Sequence, residues 1–185
     1  MPIEKVEHGF AFVKFVLEPD ELPKWLALHR NEWEDIDKLE AKAQSLIADG
    51  FQPKAAKEFV LSVIHWGRGH RFAGRFKKRN TDSKVAAALK DAINAKTMGE
   101  AAETIAALRH LGFSFASKVL RFMAPEKAVI LDEVLSTHLG YPKTADGYKD
   151  FLSDCRALRE IAAPDLRICD IESALFAKVQ GYSSE

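Results

Sequence analysis

The stretch LRHLGFSFASKVLRFMAPEKAVILDE, from Leu108 to Glu133, constrains the fold most. A helical run reaches Leu111-Gly112, where glycine permits a tight hairpin. Past the turn, Ala116, Val119, Leu120 and Met123 recur at i, i+3, i+4 and i+7, the spacing of a buried helix face. Ser114, Ser117, Lys118 and Arg121 fall on the other side. Pro125 ends this second helix, and an apolar run then delivers one acid, Asp132. The order of parts is helix, hairpin, helix, carboxylate.

The rest of the chain is patterned the same way. Asp37, with Glu40 three residues on, predicts a helix start, with Leu39, Ala43, Leu46 and Ile47 inward and Gly50 as the stop. Pro53 opens a helix with Ala56, Phe59, Val60, Val63 and Ile64 on one face, closed by Gly67 and Gly69. The basic segment from Arg68 to Arg79 has no long periodic run and reads as mostly loop. Thr81, Asp82 or Ser83 caps the next helix, and Thr97-Met98-Gly99-Glu100 is a capping box for the one after. Beyond Asp132, helices carry Val134, Leu135 and Leu139, then Tyr148 to Leu158, then Ile168 to Val179 from a start near Pro164. Phe10 to Leu17 is compatible with a strand, but a lone strand has nothing to pair with. The class expected is all-α.

With 185 residues, the chain is long enough for one compact domain or two small lobes sharing a core. Net charge is zero, yet its distribution is polarised. From His65 to Lys90 there are eight basic residues, Arg68, Arg71 and Arg75 among them, against the single acid Asp82. From Leu17 to Glu40 eight acids face three bases. A molecule polarised in this way can meet a polyanion with one face while its total stays neutral. No apolar run approaches the roughly 20 residues of a membrane span, and the N-terminus shows no secretory pattern. Cys155 and Cys169 fit a reducing cytoplasm and are too few for the four thiolates of an iron–sulfur cluster. The six histidines lack metal-ligand spacing, so no metal and no cofactor are expected.

A helix–hairpin–helix suits a DNA backbone for a geometric reason. The amides at the start of its second helix are unsatisfied and point outward, and the helix dipole favours an anion there. Such contacts position a protein on DNA without reading sequence. The stretch resembles the helix–hairpin–helix (HhH-GPD) DNA glycosylase superfamily, which includes endonuclease III and the adenine, alkylpurine and 8-oxoguanine glycosylases. There a hairpin of the form L-P-G-V-G-x-K-T-A leads into a helix, and an aspartate in a V-D-T-H context follows. Leu108 to Ala116 takes the hairpin position here and Leu131-Asp132-Glu133-Val134 the aspartate position, with Asp132 eighteen residues after Ser114. Three residues depart from the pattern. His110 replaces the first hairpin glycine, Arg109 replaces the proline, and Ser114 replaces the lysine that is the covalent nucleophile in bifunctional members.

The resemblance implies a two-lobed fold. One lobe, 52–126, would hold the hairpin; the other would join 1–50 to 128–185, with the pocket between them. It implies a monofunctional glycosylase of base excision repair, or of defence against modified DNA. Such an enzyme flips a modified or mispaired base out of double-stranded DNA. Asp132 would then stabilise the positive charge that develops on the sugar. Lys118, one turn after Ser114 on the same face, offers an alternative as a lyase nucleophile. A non-catalytic helix–hairpin–helix DNA-binding protein is a further alternative. Arg109, His110, Leu111, Gly112 and Ser114 would meet the backbone, Arg68, Arg71 and Arg75 would hold phosphates, and Trp66 or Phe72 would stack on a base. Asp132 equally stands where a residue would cap the helix that follows, and the two roles are compatible. The expectation is a monomeric cytoplasmic protein, associated with the nucleoid.

Overall fold

The computed structural model describes residues 4–6, 9–12 and 15–181. Among these, ten α-helices carry the fold: α1 (Leu22–Glu32), α2 (Ile36–Ala48), α3 (Pro53–Trp66), α4 (His70–Arg79), α5 (Asp82–Ile93), α6 (Met98–Ala106), α7 (Gly112–Met123), α8 (Glu133–Leu139), α9 (Ala145–Ala162) and α10 (Ile168–Gln180). The fold is all-α in class, with one small addition. β1 (Glu4–Val6), β2 (Gly9–Phe12) and β3 (Phe15–Leu17) form an antiparallel meander, with Lys5 opposite Phe10 and Phe10 opposite Leu17. The strand-compatible segment does find partners: it folds back on itself as β2 and β3, and β1 completes the ladder, so its backbone groups pair locally.

Three boundaries differ from the sequence expectation. Asp37 is not the residue that starts α2; Asp35 precedes the helix in the left-handed region at φ 64, with no capping bond from its side chain, and the helix begins at Ile36. The last helix begins at Ile168 rather than near Pro164, because Leu166 N–H closes a turn onto Ala163 O and Arg167 is still extended. The basic segment is not mostly loop. Ala73 and Phe76 bury one side of it, which is enough to hold α4 as a helix with Arg71, Arg75, Lys77, Lys78 and Arg79 exposed. Two buried residues are too few to register as a periodic run, and the tertiary contact decides.

The helices pack in two groups around α7. On one side α3 meets α4, α5 and α7, while α6 meets α5, α7 and α9. On the other, α1 lies along α10, which also touches α8 and α9. Helix α2 packs on α3 and α7. One continuous hydrophobic core joins all of this. The face of α7 opposite its apolar stripe is therefore not solvated: Ser117, Lys118 and Arg121 are all buried. Amphipathic spacing suggests a surface helix, but this one has its polar face turned inward, where each polar group finds a partner. Arg121 donates to Glu40 at 2.6 Å, and Glu40 also accepts from Arg167 at 2.7 Å. Arg167 in turn donates to Asp170 at 3.0 Å, and Arg30 donates to Asp170 at 3.3 Å. This chain of charges ties α1, α2, α7 and α10 together.

Candidate active site

The hairpin is built from two left-handed residues. His110 has φ 65 and Gly112 has φ 68. Histidine is among the residues that tolerate this region, at a cost of roughly 1–2 kcal/mol. Leu111, buried between them, anchors the turn to the core, while Arg109, His110 and Gly112 are exposed. The turn is clamped from outside by Asn80, which is buried. Its Oδ1 accepts from Arg109 N at 3.0 Å, and its Nδ2 donates to Arg109 O at 2.9 Å and to Phe76 O at 3.0 Å. Asn80 directly follows α4, so the same side chain fixes the end of the basic helix beside the hairpin.

The apolar run before Asp132 is buried from Ala128 to Leu131 and held at two points. The fully buried Tyr148 hydroxyl donates to Val129 O at 2.9 Å and accepts from Val129 N at 3.1 Å. Ser117 Oγ accepts from Leu131 N at 3.1 Å. Asp132 emerges from this pinned segment with both carboxylate oxygens engaged. Oδ1 accepts from the amides of Val134 and Leu135, at 3.1 and 3.2 Å, and caps α8. Oδ2 accepts from Lys118 Nζ at 2.7 Å. The two side chains are only 8% and 13% exposed, so the ion pair is shielded from water and its attraction is stronger than at a surface.

Lys118 owes its position to a missing side chain. A Cβ on Gly67 would lie 2.8 Å from the Phe115 ring and 3.0 Å from Lys118 Cδ, so glycine there leaves room for both. The Lys118 ammonium lies 5.4 Å from the centre of that ring.

The pair sits on the wall of a small cavity of about 20 Å³, lined by His29, Trp33, Trp66, Lys118, Ile130, Asp132, Glu172 and Phe176. That volume is close to what one water requires. Trp33 lines it, with ring centres 4.8 Å from Trp66 and 6.0 Å from Phe176. Over Trp33 lies the Arg68 guanidinium at 4.6 Å, and Arg68 pairs with Glu32 at 2.9 Å. Trp66 Nε1 donates to Glu34 O at 3.2 Å, which holds the α1–α2 turn over the opening. A wider cleft of about 510 Å³ shares His29 and Trp33 in its wall.

Two groups in the cavity carry unmatched polar atoms. His29 Nδ1 is buried without a hydrogen-bond partner, and burial, helped by the nearby Arg121 charge, lowers its pKa to about 4, so the ring is neutral. Glu172 is 1% exposed and its Oε2 has no partner. Burial raises its pKa to about 8; Asp132 adds to the rise, while Arg121 and Lys118 oppose it.

The sequence-derived candidates thus fall in different places. Asp132, Lys118 and Trp66 meet in the cavity, and Arg68 stands at its mouth. Ser114 does not line the cavity; its carbonyl accepts from Ser117 Oγ at 3.0 Å. Phe72 packs edge-on against Phe115, with ring centres 4.8 Å apart, outside the lining. Arg71 and Arg75 lie on the exposed side of α4. His29, Trp33, Glu172 and Phe176 were not singled out by the sequence. One signal was present for the pair on α10: Glu172 and Phe176 stand four residues apart, one turn along the same helix face.

The helical fold, with a hairpin beside a basic helix, is consistent with the helix–hairpin–helix DNA glycosylase superfamily. The chain belongs to the family described as "Putative 8-oxoguanine DNA glycosylase OGG-like protein", whose sequence profile matches residues 15–176. No curated protein and no solved structure matches the chain. No helix among the described residues is long and apolar enough to cross a membrane, and no group of three or more histidine, cysteine or acidic side chains among them is arranged to hold a metal ion.

Proposed function

We propose that this protein is a DNA glycosylase with lyase activity that removes an oxidised purine, 8-oxoguanine, from double-stranded DNA. The observation that carries this reading is the 2.7 Å contact between Lys118 Nζ and Asp132 Oδ2 at an aromatic-lined cavity. Ser114 in the hairpin suggested an enzyme without an amine nucleophile. A lysine from the next turn of α7 supplies one, already held by the carboxylate.

In this reading the exposed hairpin amides at Gly112 and beyond take a phosphate, and Arg71 and Arg75 on α4 take its neighbours. A stacked base is out of reach of any side chain, so the nucleotide must be flipped out, at a cost of a few kcal/mol. The cavity of about 20 Å³ is too small to accept it as it stands. Displacing Trp33, with its Arg68 and Glu32 cover, would join the cavity to the adjoining cleft. The base would then stack among Trp33, Trp66 and Phe176. Breaking the glycosidic bond makes C1′ positive, which the Asp132 carboxylate stabilises. The Lys118 ammonium sheds a proton, which leaves with the base; its nitrogen then bonds to C1′, and opening of the sugar ring gives a Schiff base that leads to strand cleavage. The lobe boundary, 52–126 against 1–50 with 128–185, belongs to the same reading. So does base excision repair as the biological role.

The test is incubation of a duplex holding one 8-oxoguanine opposite cytosine, with borohydride present. A covalent protein–DNA adduct that is lost in Lys118→Ala supports the reading. Alkali-labile abasic sites without any adduct would replace it by the monofunctional mechanism, with Asp132 acting on water. Salt-dependent binding without base release would replace it by a non-catalytic DNA-binding role.

A further inference from the structure

Glu172 has no part in the scheme above, yet it faces the same cavity. On α10, it lines the cavity together with the rings of Trp33, Trp66 and Phe176 and with Lys118 and Asp132. Its carboxyl is fully buried, and Oε2 has no hydrogen-bond partner. The two carboxyl groups of the cavity are therefore placed unalike. Asp132 has both oxygens committed, to two helix amides and to an ammonium. Glu172 has an uncommitted buried oxygen. Two carboxyl groups in contrasting environments, one ion-paired and one desolvated, is the arrangement by which a site divides the work of charge stabiliser and acid.

We propose that Glu172 is the general acid that protonates the departing base. This rests on the glycosylase/lyase reading given above. The groups that face Glu172 are Lys118 and Arg121 from α7, Asp132 ahead of α8, His29 from α1, and Tyr148 and Cys155 from α9. Burial outweighs the two cations among them, and the carboxyl keeps its proton up to a pH of about 8. In the step itself the Oε2–H bond of Glu172 breaks and an N–H bond forms on the base. The C1′–N bond breaks, and its electron pair leaves with the base. As the Lys118 nitrogen bonds to C1′, the proton it sheds passes to the Glu172 carboxylate left by the first transfer. Glu172 is restored as an acid, and the base departs with the proton it needs.

The experiment compares Glu172→Gln with wild type in single-turnover reactions. The amide keeps the shape but has no acidic proton. Base release from the 8-oxoguanine duplex is expected to fall about 10²- to 10⁴-fold, the range of general acid catalysis. Adduct formation on a preformed abasic site has no base to protonate, and there the sugar's own oxygen takes the proton. It is expected to fall less than tenfold. Wild-type base release is expected to decline above pH about 8 as Glu172 ionises, and Glu172→Gln is expected to lack that limb. Base release by Glu172→Gln at the wild-type rate overturns the proposal, as does loss of both activities in equal measure. A wild-type profile without an alkaline limb also overturns it. A wild-type protein that forms adducts on abasic sites but releases no base removes the role of Glu172 and leaves that of Lys118. One that does neither removes both.

Discussion

Replacing Asp132 by asparagine separates the charge of this side chain from its role as a helix cap. Asparagine caps helices about as well as aspartate, so the bonds from Val134 and Leu135 to Oδ1 should survive. What is lost is the anion 2.7 Å from the Lys118 ammonium, in a place where the lysine side chain is 8% exposed. Removing one partner of a buried pair costs about 3–5 kcal/mol. Glu172 can ionise and replace part of the missing charge, which points to the lower end, about 3 kcal/mol. Asp132→Ala should cost about 1 kcal/mol more, the worth of the cap. The double variant Lys118→Met/Asp132→Asn leaves no buried charge unpaired and should recover to within about 1 kcal/mol of wild type. Urea unfolding at neutral pH measures these variants, the single variant Lys118→Met and wild type, with the midpoints compared at constant slope. A double variant whose loss is the simple sum of the two single losses would refute the reasoning, because the carboxylate and the ammonium would then not be coupled.

Removing Asn80 tests the hairpin clamp. Asn80→Ala leaves the Arg109 amide and carbonyl without their partner and should cost about 2–3 kcal/mol in unfolding experiments. It should also weaken duplex binding, measured by fluorescence anisotropy, and unchanged affinity would argue that the hairpin does not touch DNA. Arg71→Ala/Arg75→Ala should lower the slope of log affinity against log salt by about 2, one increment for each phosphate contact; an unchanged slope would remove α4 from the interface. Stability should also have two pH limbs. His29, at about 4 against an ordinary 6.5, takes up a proton more readily when unfolded, so stability falls as pH drops from 6.5 toward 4. Glu172, at about 8 against 4.5, holds in the folded state a proton that the unfolded chain releases, so stability falls as pH rises from 4.5 to 8. Thermal melts should show Glu172→Gln gaining on wild type at pH 8, and equal melting temperatures there would contradict the burial of a protonated acid.

Much of this was legible before any coordinates. Periodicity and punctuation gave the helices from α2 onward, apart from α4, because Pro53, Gly67, Thr81, Thr97, Gly140 and Gly181 act on the backbone within one turn of themselves. The hairpin and its Asp132 were readable for the same reason, since both depend on short spacing. Helix α4 was not, because its stability comes from Ala73 and Phe76 reaching a core built by distant segments. Nor was the burial of Lys118 and Arg121 readable. Their partners Asp132 and Glu40 lie 14 and 81 residues away, and spacing along one helix says only that they share a face.

The sequence by itself determined that the chain is helical, that a hairpin precedes an acid, and that positive charge gathers beside it. These are local properties, set by backbone geometry and side-chain type within a few residues. Only the tertiary structure decided which amine stands next to Asp132, and that Trp33, Trp66, Phe176 and Glu172 surround the pair. Those contacts come from packing α1 and α10 against α3 and α7. A cavity between helices far apart in the chain is a property of how they meet, and no single segment carries it.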